Sequence, residues 1–310
     1  MLSNYITEQI MQLQIDNISK SFGDKKVLDG ISLTAASGRA FGLLGRNGAG
    51  KTTTIRILLG VFDADGGQIL VDGFPVDRTA IRFGYLPEER GLYPKKTIVE
   101  QLVYFAMLKG VSKSDAIAAV DKWLVRLGMI EYRNKRLDTL SKGNQQKIQL
   151  VTALAHNPDI VVLDEPFSGL DPVNAMLLKD VVREVIDQGK IVLFSGHQMN
   201  YIEEFCDDIA LLHHGKVVLG GNLEEIKQSY PQNKLVLRSP EAAKILTELP
   251  DVTAGEHDTL LYTPHIDVRV AMQQLTAKYK IDEVSIFRPS LNDIFVEYTD
   301  DQSADKEEQA

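Results

Sequence analysis

A chain of 310 residues is long enough for one large domain and a smaller one, each with its own core. Its 44% hydrophobic and 25% charged residues are ordinary globular values, and no apolar run approaches the ~18 residues of a membrane span, so neither a disordered chain nor one that crosses a bilayer unaided is expected. A net charge of −9 opposes a clustered basic face, and no nucleic acid is expected as a partner. The single cysteine, Cys206, excludes an intrachain disulfide and, within the helical-looking run Tyr201 to Cys206, reads as a buried, inert thiol. The N-terminal stretch shows no basic leader joined to a continuous apolar segment, so a secretory signal is not expected.

After an extension over residues 1–11, the chain is β-rich: Leu13 to Ile18 alternates, Val27 to Thr34 is a second run, and Gln68 to Val71 follows a Gly66-Gly67 turn. Between the last two lies a short apolar strand, Arg39 to Leu44, ending in glycine-rich sequence. From Thr97 to about Ala155 the period becomes helical, at Ile98, Leu102, Phe105 and Leu108 and again at Ala116, Val120, Leu124 and Leu127. Strand and helix then alternate: Ile160 to Leu163, a helix from Pro172, Lys190 to Ser195, a helix near Asn200, Asp208 to His213 and Lys216 to Leu219. Such alternation predicts a mainly parallel sheet covered by helices, an α/β class. From Lys234 the order strand, helix, two strands around Glu256-His257-Asp258, helix Val268 to Tyr279 and strand Val284 to Phe287 matches a small ferredoxin-like α+β sandwich. Residues 300–310 carry no apolar anchor and read as an acidic, solvated tail.

Chemistry concentrates at strand ends. Gly45-Arg-Asn47-Gly48-Ala-Gly50-Lys51-Thr52 follows an apolar strand and precedes the helical-looking Thr53 to Leu59, the setting a phosphate-binding loop requires. Glycines let backbone N–H groups wrap a polyanion and the helix N-terminus adds positive potential. Lys51 then serves the β- and γ-phosphates of a nucleoside triphosphate, and the Thr52 hydroxyl is a Mg²⁺ ligand. Ile160 to Leu163 runs into Asp164-Glu165, two carboxylates at the C-terminal end of a buried strand, with Asp164 suited to hold Mg²⁺ and Glu165 to polarise an attacking water. Asp171-Pro172 is a good helix opening. Leu140-Ser141-Lys142-Gly143-Asn144-Gln145-Gln146 reads, by spacing alone, as a serine-capped helix start. No guanine signature is present, since Asn134-Lys135-Arg136-Leu137 lacks the aspartate.

With these motifs in this order over residues 12 to about 220, the chain resembles the ATP-binding-cassette (ABC) ATPases. The resemblance implies a P-loop cassette over residues 12–227, with an antiparallel β subdomain and an α-helical insert at about 95–157, followed by the accessory α+β domain at 228–299. It implies that Gly45, Asn47, Gly48, Gly50, Lys51, Thr52 and Thr53 bind ATP and that Phe22, where the family has an aromatic residue, stacks on adenine. It further implies that Ser141 and the Gly143 N–H complete the ATP site of an opposite subunit in a head-to-tail dimer, and that Ser168-Gly-Leu-Asp171 communicates across that dimer. His197, just after the Leu193 to Ser195 strand, looks like the switch histidine on the γ-phosphate, whereas His213 and His214 have no such setting and read as surface residues.

Three positions depart from the family pattern. Glu88 stands for glutamine, so that a carboxylate here either approaches Mg²⁺ through water or serves coupling alone; Lys142 and Asn144 replace Gly and Gln; Gly196 precedes His197 where Ser or Thr is frequent. Glu88 to Pro94 with the run Phe287 to Phe295 is similar to a bacterial subgroup serving two-component export of sodium, drugs or other hydrophobic compounds. The expected partners are a second ABC ATPase subunit, in a homodimer or heterodimer, and an integral membrane permease, with the chain cytoplasmic and peripheral on the inner face of the membrane. The alternative from another class is a soluble ABC ATPase acting in translation or DNA repair, although neither tandem cassettes nor a long coiled-coil interruption is present.

Overall fold

The computed structural model describes residues 10–89, 91–168, 170–255 and 259–300. The turn expected at Glu256-His257-Asp258, Gly169 of the Ser168 to Asp171 loop, most of the N-terminal extension and the tail from 301 onward lie outside the described residues. The described residues form two compact units: one comprises the described residues before Glu224 and after Ile294, and the other is Glu224–Ile294.

In the first unit, β1 (Gln12–Phe22), β2 (Lys25–Ala36), β4 (Gly66–Val71) and β5 (Phe74–Pro75) form an antiparallel sheet in the order β2-β1-β4-β5. A second sheet runs β10-β9-β3-β8-β7-β6, from β3 (Ala40–Gly45), β6 (Phe83–Leu86), β7 (Ile160–Asp164), β8 (Ile191–Gly196), β9 (Asp208–His213) and β10 (Lys216–Asn222). All its pairings are parallel except β9 with β10. Every residue of β3, β7 and β8 is buried, which is why these segments read as unbroken apolar runs rather than as alternation. The strand β6 has no counterpart in the expectations from sequence, because four residues that include Gly84 and end before Pro87 show no usable period.

One core joins the two sheets. Leu13, Ile15 and Ile18 of β1, Leu28 and Ile31 of β2, Ile55, Ile57 and Leu58 of α1 (Lys51–Leu58), and Leu43, Val162 and Leu193 of the parallel sheet form a single apolar cluster. Burial of each such side chain is worth about 1.5–3 kcal/mol, so α1 and the loop before it are held from both sides.

The helical stretch from Thr97 divides into α2 (Ile98–Leu108), α3 (Lys113–Arg126) and α4 (Lys142–Leu154), with 3₁₀ turns at Ile130–Tyr132 and Leu137–Thr139. Each start is capped: Thr97 and Glu100 form a reciprocal capping box, Ser112 accepts from Asp115 N, and Ser141 accepts from Asn144 N. Left-handed Gly110 and Gly128 follow the ends of α2 and α3. The helix α5 (Pro172–Asp187) opens with Asp171 as cap and Pro172 in its first turn, and α6 (Met199–Phe205) follows β8. Leu150 and Leu154 of α4 meet Val181, Val182 and Val185 of α5 over Val161, Leu163 and Val192, covering the other face of the parallel sheet. Cys206 is buried behind α6, and burial pushes its thiol well above the usual range, as befits an inert side chain.

After α7 (Leu223–Ser229), the second unit has the order β11 (Leu235–Arg238), α8 (Ala242–Glu248), β12 (Val252–Ala254), β13 (Leu260–Tyr262), α9 (Val268–Lys278) and β14 (Glu283–Ile286), with α10 (Leu291–Thr299) ending the described chain. Its antiparallel sheet runs β12-β13-β11-β14, the ferredoxin-like strand order, over a core of Leu235, Leu237, Ile245, Leu260, Ala271 and Leu275.

Gly84 is where β6 passes the end of α4. A Cβ there would fall 2.3 Å from the Ala153 carbonyl oxygen and 2.9 Å from Pro158 Cγ. Gly84→Ala is expected to destabilise the unit by about 1–3 kcal/mol through overpacking, read as a lower urea midpoint. An unchanged midpoint would mean that this approach is not held as tightly as described.

Candidate active site

The parallel strand β3 delivers its last residue, Gly45, into a loop that ends at Gly50, and α1 begins at Lys51. Gly50 occupies the cap position at φ 112°, and no side chain caps the first turn. The leading N–H groups of α1 therefore lack a side-chain acceptor and point, with the helix dipole, at whatever anion lies over the loop. Asn47, Gly48, Gly50, Lys51, Thr52 and Thr53 line a cleft of about 450 Å³, together with Arg46 from the same loop, Lys25, Lys26 and Val27 from β2, and His214 and Gly215 from the turn between β9 and β10. Lys25, Lys26, Arg46 and His214 were not singled out for the site from sequence; only folding brings these separate segments to one wall.

Lys51 is 8% exposed. Its ammonium donates to the Gly45 carbonyl at 2.6 Å and the Arg46 carbonyl at 3.3 Å, which centres its charge under the loop. Burial pulls Lys51 below the usual lysine range, and the carboxylates of Glu165, Asp164 and Glu88 oppose that pull. Those three acids thus act on one buried cation.

The strand β7 ends at Asp164, and Glu165 follows in a left-handed conformation, φ 51°, its N–H donating to Ser195 O at 2.9 Å. Such backbone strain in a non-glycine residue survives where its surroundings over-determine it. Asp164 is held from two sides. The Ser195 hydroxyl donates to Oδ1, favoured by direct pairing of Asp164 with Ser195 in the β7–β8 register, and the Tyr85 hydroxyl donates to Oδ2 at 3.3 Å. Burial, with Asp164 alongside, pushes Tyr85 up to about 12, so the phenol keeps its proton and remains a donor. Neither partner was anticipated, although Ser195 had a signal: it is the polar residue in the apolar run of β8.

His197 stands just beyond β8, and its Nδ1 donates to Glu165 Oε1 at 2.7 Å. Glu165 is largely buried at 7% side-chain exposure while His197 is open at 60%, so the imidazole orients the carboxylate from the solvent side. A Cβ on Gly196 would lie 3.4 Å from Glu165 Oε2, in ordinary contact, so space beside the carboxylate does not demand glycine there. Glu88 is exposed at the end of the β6 segment, within electrostatic reach of Lys51 and Tyr85.

Three expected residues lie elsewhere. Ser141 caps α4, accepting from Asn144 N at 3.4 Å, and is exposed. Gly143 abuts α5, where a Cβ would meet Asn174 Nδ2 at 2.9 Å and Asp171 Oδ2 at 3.9 Å. Asp171 accepts from Asn174 N at 2.9 Å, and that bond is the main reason its carboxyl lies below the usual range. None of the three lines the cleft of Lys51. Phe22 is half exposed and packs edge-to-face on Phe62 with centroids 5.5 Å apart, while the Lys20 ammonium lies 5.7 Å from each ring. Among the described residues, no group of three or more His, Cys, Asp or Glu side chains is placed to hold a metal ion by itself, and no helix is long and apolar enough to cross a membrane.

Comparison with known proteins gives this geometry a setting. The ABC transporter family model matches residues 28–168, and the model of the C-terminal domain of DrrA1-3-like ATP-binding proteins matches residues 221–299. The chain is 42% identical over 291 residues to the uncharacterized ABC transporter ATP-binding protein YhaQ of Bacillus subtilis (strain 168), covering 92% of this chain and 97% of that one. It is 32% identical to the Nod factor export ATP-binding protein I of Paraburkholderia xenovorans (strain LB400), covering 93% and 96%. A solved ATP-binding subunit of an ABC transporter superposes with a TM-score of 0.65 at 30% identity, covering 70% of this chain and 92% of that one.

The pair of donors on Asp164 generates a prediction. Ser195→Ala leaves a buried carboxylate with one of its two side-chain donors and is expected to cost about 1–3 kcal/mol of stability. Tyr85→Phe, which removes the longer bond, should cost less. Chemical denaturation of the two variants checks the order, and a larger loss from Tyr85→Phe would reverse the assignment.

Proposed function

The chain belongs to the ABC transporter family as an ATP-binding, ATP-hydrolysing subunit, and we propose that it closes head to tail with a second cassette around two ATP molecules to drive a separate membrane permease for export. One observation carries the reading. Lys51, Asp164 and Glu165 converge electrostatically beside an uncapped helix N-terminus, and His197 aims the Glu165 carboxylate at 2.7 Å.

In this reading the loop N–H groups and Lys51 take the β- and γ-phosphates. Glu165 accepts a proton from water, whose oxygen bonds to the γ-phosphorus as the bond to the departing ADP oxygen breaks. His197 keeps the carboxylate pointed at that water and senses the phosphate from its exposed side. The oxygen donors Thr52 and Asp164 suit Mg²⁺, which binds through one or two carboxylates with substrate phosphates completing its shell, and Glu88 is an acid on the same side. Bound there, the ion would supply charge neutralisation at the phosphates. Phe22 is the platform for adenine. Ser141 and Gly143, which do not line their own chain's cleft, serve the ATP of the second cassette, an identical or a sister subunit, and Asp171 lies beside them.

A surface for the permease follows from the same segments. Gln149 of α4 donates to the carbonyls of Pro87 and Glu89 at 3.1 and 3.0 Å, and Gln101 of α2 accepts from Tyr93 N at 3.1 Å. The polypeptide leaving β6 thereby links the acids around Lys51 to an open cleft of about 330 Å³ bordered by Tyr93, Lys96, Glu100, Gln101 and Tyr104. We assign that cleft to a cytoplasmic segment of the permease, which places the chain on the inner face of the membrane. An export role agrees with the Nod factor relative, whose match spans both units. The alternative of a translation or repair factor is set aside, because the relatives matched along more than nine-tenths of the chain carry transport names.

Glu165→Gln is expected to keep ATP affinity, lower phosphate release by about 10²–10⁴-fold and accumulate an ATP-dependent dimer in light scattering. Wild-type phosphate release by that variant would remove Glu165 from the reaction. Lys51→Ala should weaken ATP binding about 10–100-fold through loss of charged hydrogen bonds, and a titration showing unchanged affinity would sink the loop assignment.

A further inference from the structure

One wall of the nucleotide cleft has no role in the mechanism above. The strands β9 and β10 are joined through His214 and Gly215, both left-handed at φ 46° and 77°. Two-residue turns with both centres at positive φ follow the twist of the flanking strands, and Asn, Asp or Gly ordinarily fills the first position. Histidine is among the non-glycine side chains found at positive φ, although Asn-Gly is the commoner pair for such a turn.

The turn is fixed to both sides of the cleft. Gly215 N donates to the Ala49 carbonyl in the phosphate loop at 3.2 Å, and Asp29 N donates to the Gly215 carbonyl at 2.8 Å. The approach to β2 requires glycine, since a Cβ on Gly215 would fall 2.4 Å from Val27 O. His214 is exposed, its ring centroid 4.1 Å from that of His213, and it lines the cleft between the β2 wall and the loop. The loop marks the phosphate end. The β2 wall begins at Lys25, paired across the hairpin with Phe22, and marks the base end. With Phe22 as the proposed adenine platform, a side chain on a turn bonded to Ala49 and Asp29 falls on the stretch of the cleft that the sugar of a bound nucleotide would occupy.

We propose that His214 is a nucleotide-binding residue whose imidazole hydrogen-bonds the nucleoside part of ATP and ADP, separately from the phosphate contacts of the loop. The assignment rests on the reading of this cleft as the ATP site.

The test compares the full-length protein with His214→Asn, a substitution that suits the left-handed turn, by calorimetric titration with ATP, ADP and inorganic tripolyphosphate. The expected result is a loss of about fivefold in affinity for ATP and ADP, the worth of one neutral hydrogen bond, with tripolyphosphate binding unchanged and the thermal midpoint equal or higher. Unchanged ATP and ADP affinities would overturn the proposal, as would an equal loss for tripolyphosphate, which would make the turn a support for the loop alone. A wild-type protein that binds neither ATP nor tripolyphosphate would overturn the site reading itself, and this proposal with it.

Discussion

Lys51 brings a positive charge into a position that is 8% exposed, and burial alone drives it toward the neutral form. What keeps the charge there is a ring of oxygens: two loop carbonyls in direct contact, and the carboxylates of Glu165, Asp164 and Glu88 acting at longer range. Those oxygens come from three chain ends: Gly45 and Arg46 at the end of β3, Asp164 and Glu165 at the end of β7, and Glu88 after β6. The fold has to bring the ends of β3, β7 and β6 to one place before the lysine is tolerable, and most features of the large unit serve that requirement.

Sheet order meets it directly. The strand β8 lies between β3 and β7, so the residues leaving β8 stand between the phosphate loop and the two acids. Ser195 can then restrain Asp164 within the ladder while His197, two positions later, reaches Glu165 beyond it. Parallel pairing puts all these chain ends at the same edge of the sheet, as open α/β sheets do with their ligand sites. The antiparallel sheet is a second support: its core residues close over α1 and hold the loop against the parallel sheet.

Legibility in the sequence followed the range of the cause. The phosphate loop, the buried strands β3, β7 and β8, the capped start of α5 and the ferredoxin-like order of the second unit could be read because each is written in neighbouring residues. The strand β6 could not, since its extended state comes from pairing Phe83 to Leu86 with Ile160 to Leu163. The long helical stretch was legible as helix, and Gly110 and Gly128 follow two of its internal ends. Within the site, the hydroxyls of Ser195 and Tyr85 reach Asp164 from 31 and 79 residues away in sequence, a proximity created by strand register. His214 was read as a surface residue and Lys25 and Lys26 were not singled out, because polar residues at a strand start or in a turn look solvent-facing until the fold brings them to a shared cleft.

The position of Ser141 and Gly143 adds a last constraint. The N-terminus of α4 is an anion-favouring end, yet it is built against Asp171 and Asn174 of the same chain, and its residues do not line the cleft of Lys51. Its carboxylate neighbour Asp171 is occupied by the backbone and side chain of Asn174, which leaves the exposed Ser141 hydroxyl and the N–H groups of the first turn as the outward donors. Lys142 adds a positive charge at that point. An anion such as a phosphate suits such donors, and the cleft of Lys51 is lined by other residues. In the proposed head-to-tail pairing of two cassettes, each would offer these donors to the nucleotide of the other. The glutamines of α2 and α4 hold Pro87, Glu89 and Tyr93, which ties the side carrying Glu88 to the helices that border the cleft at Tyr93 and Tyr104.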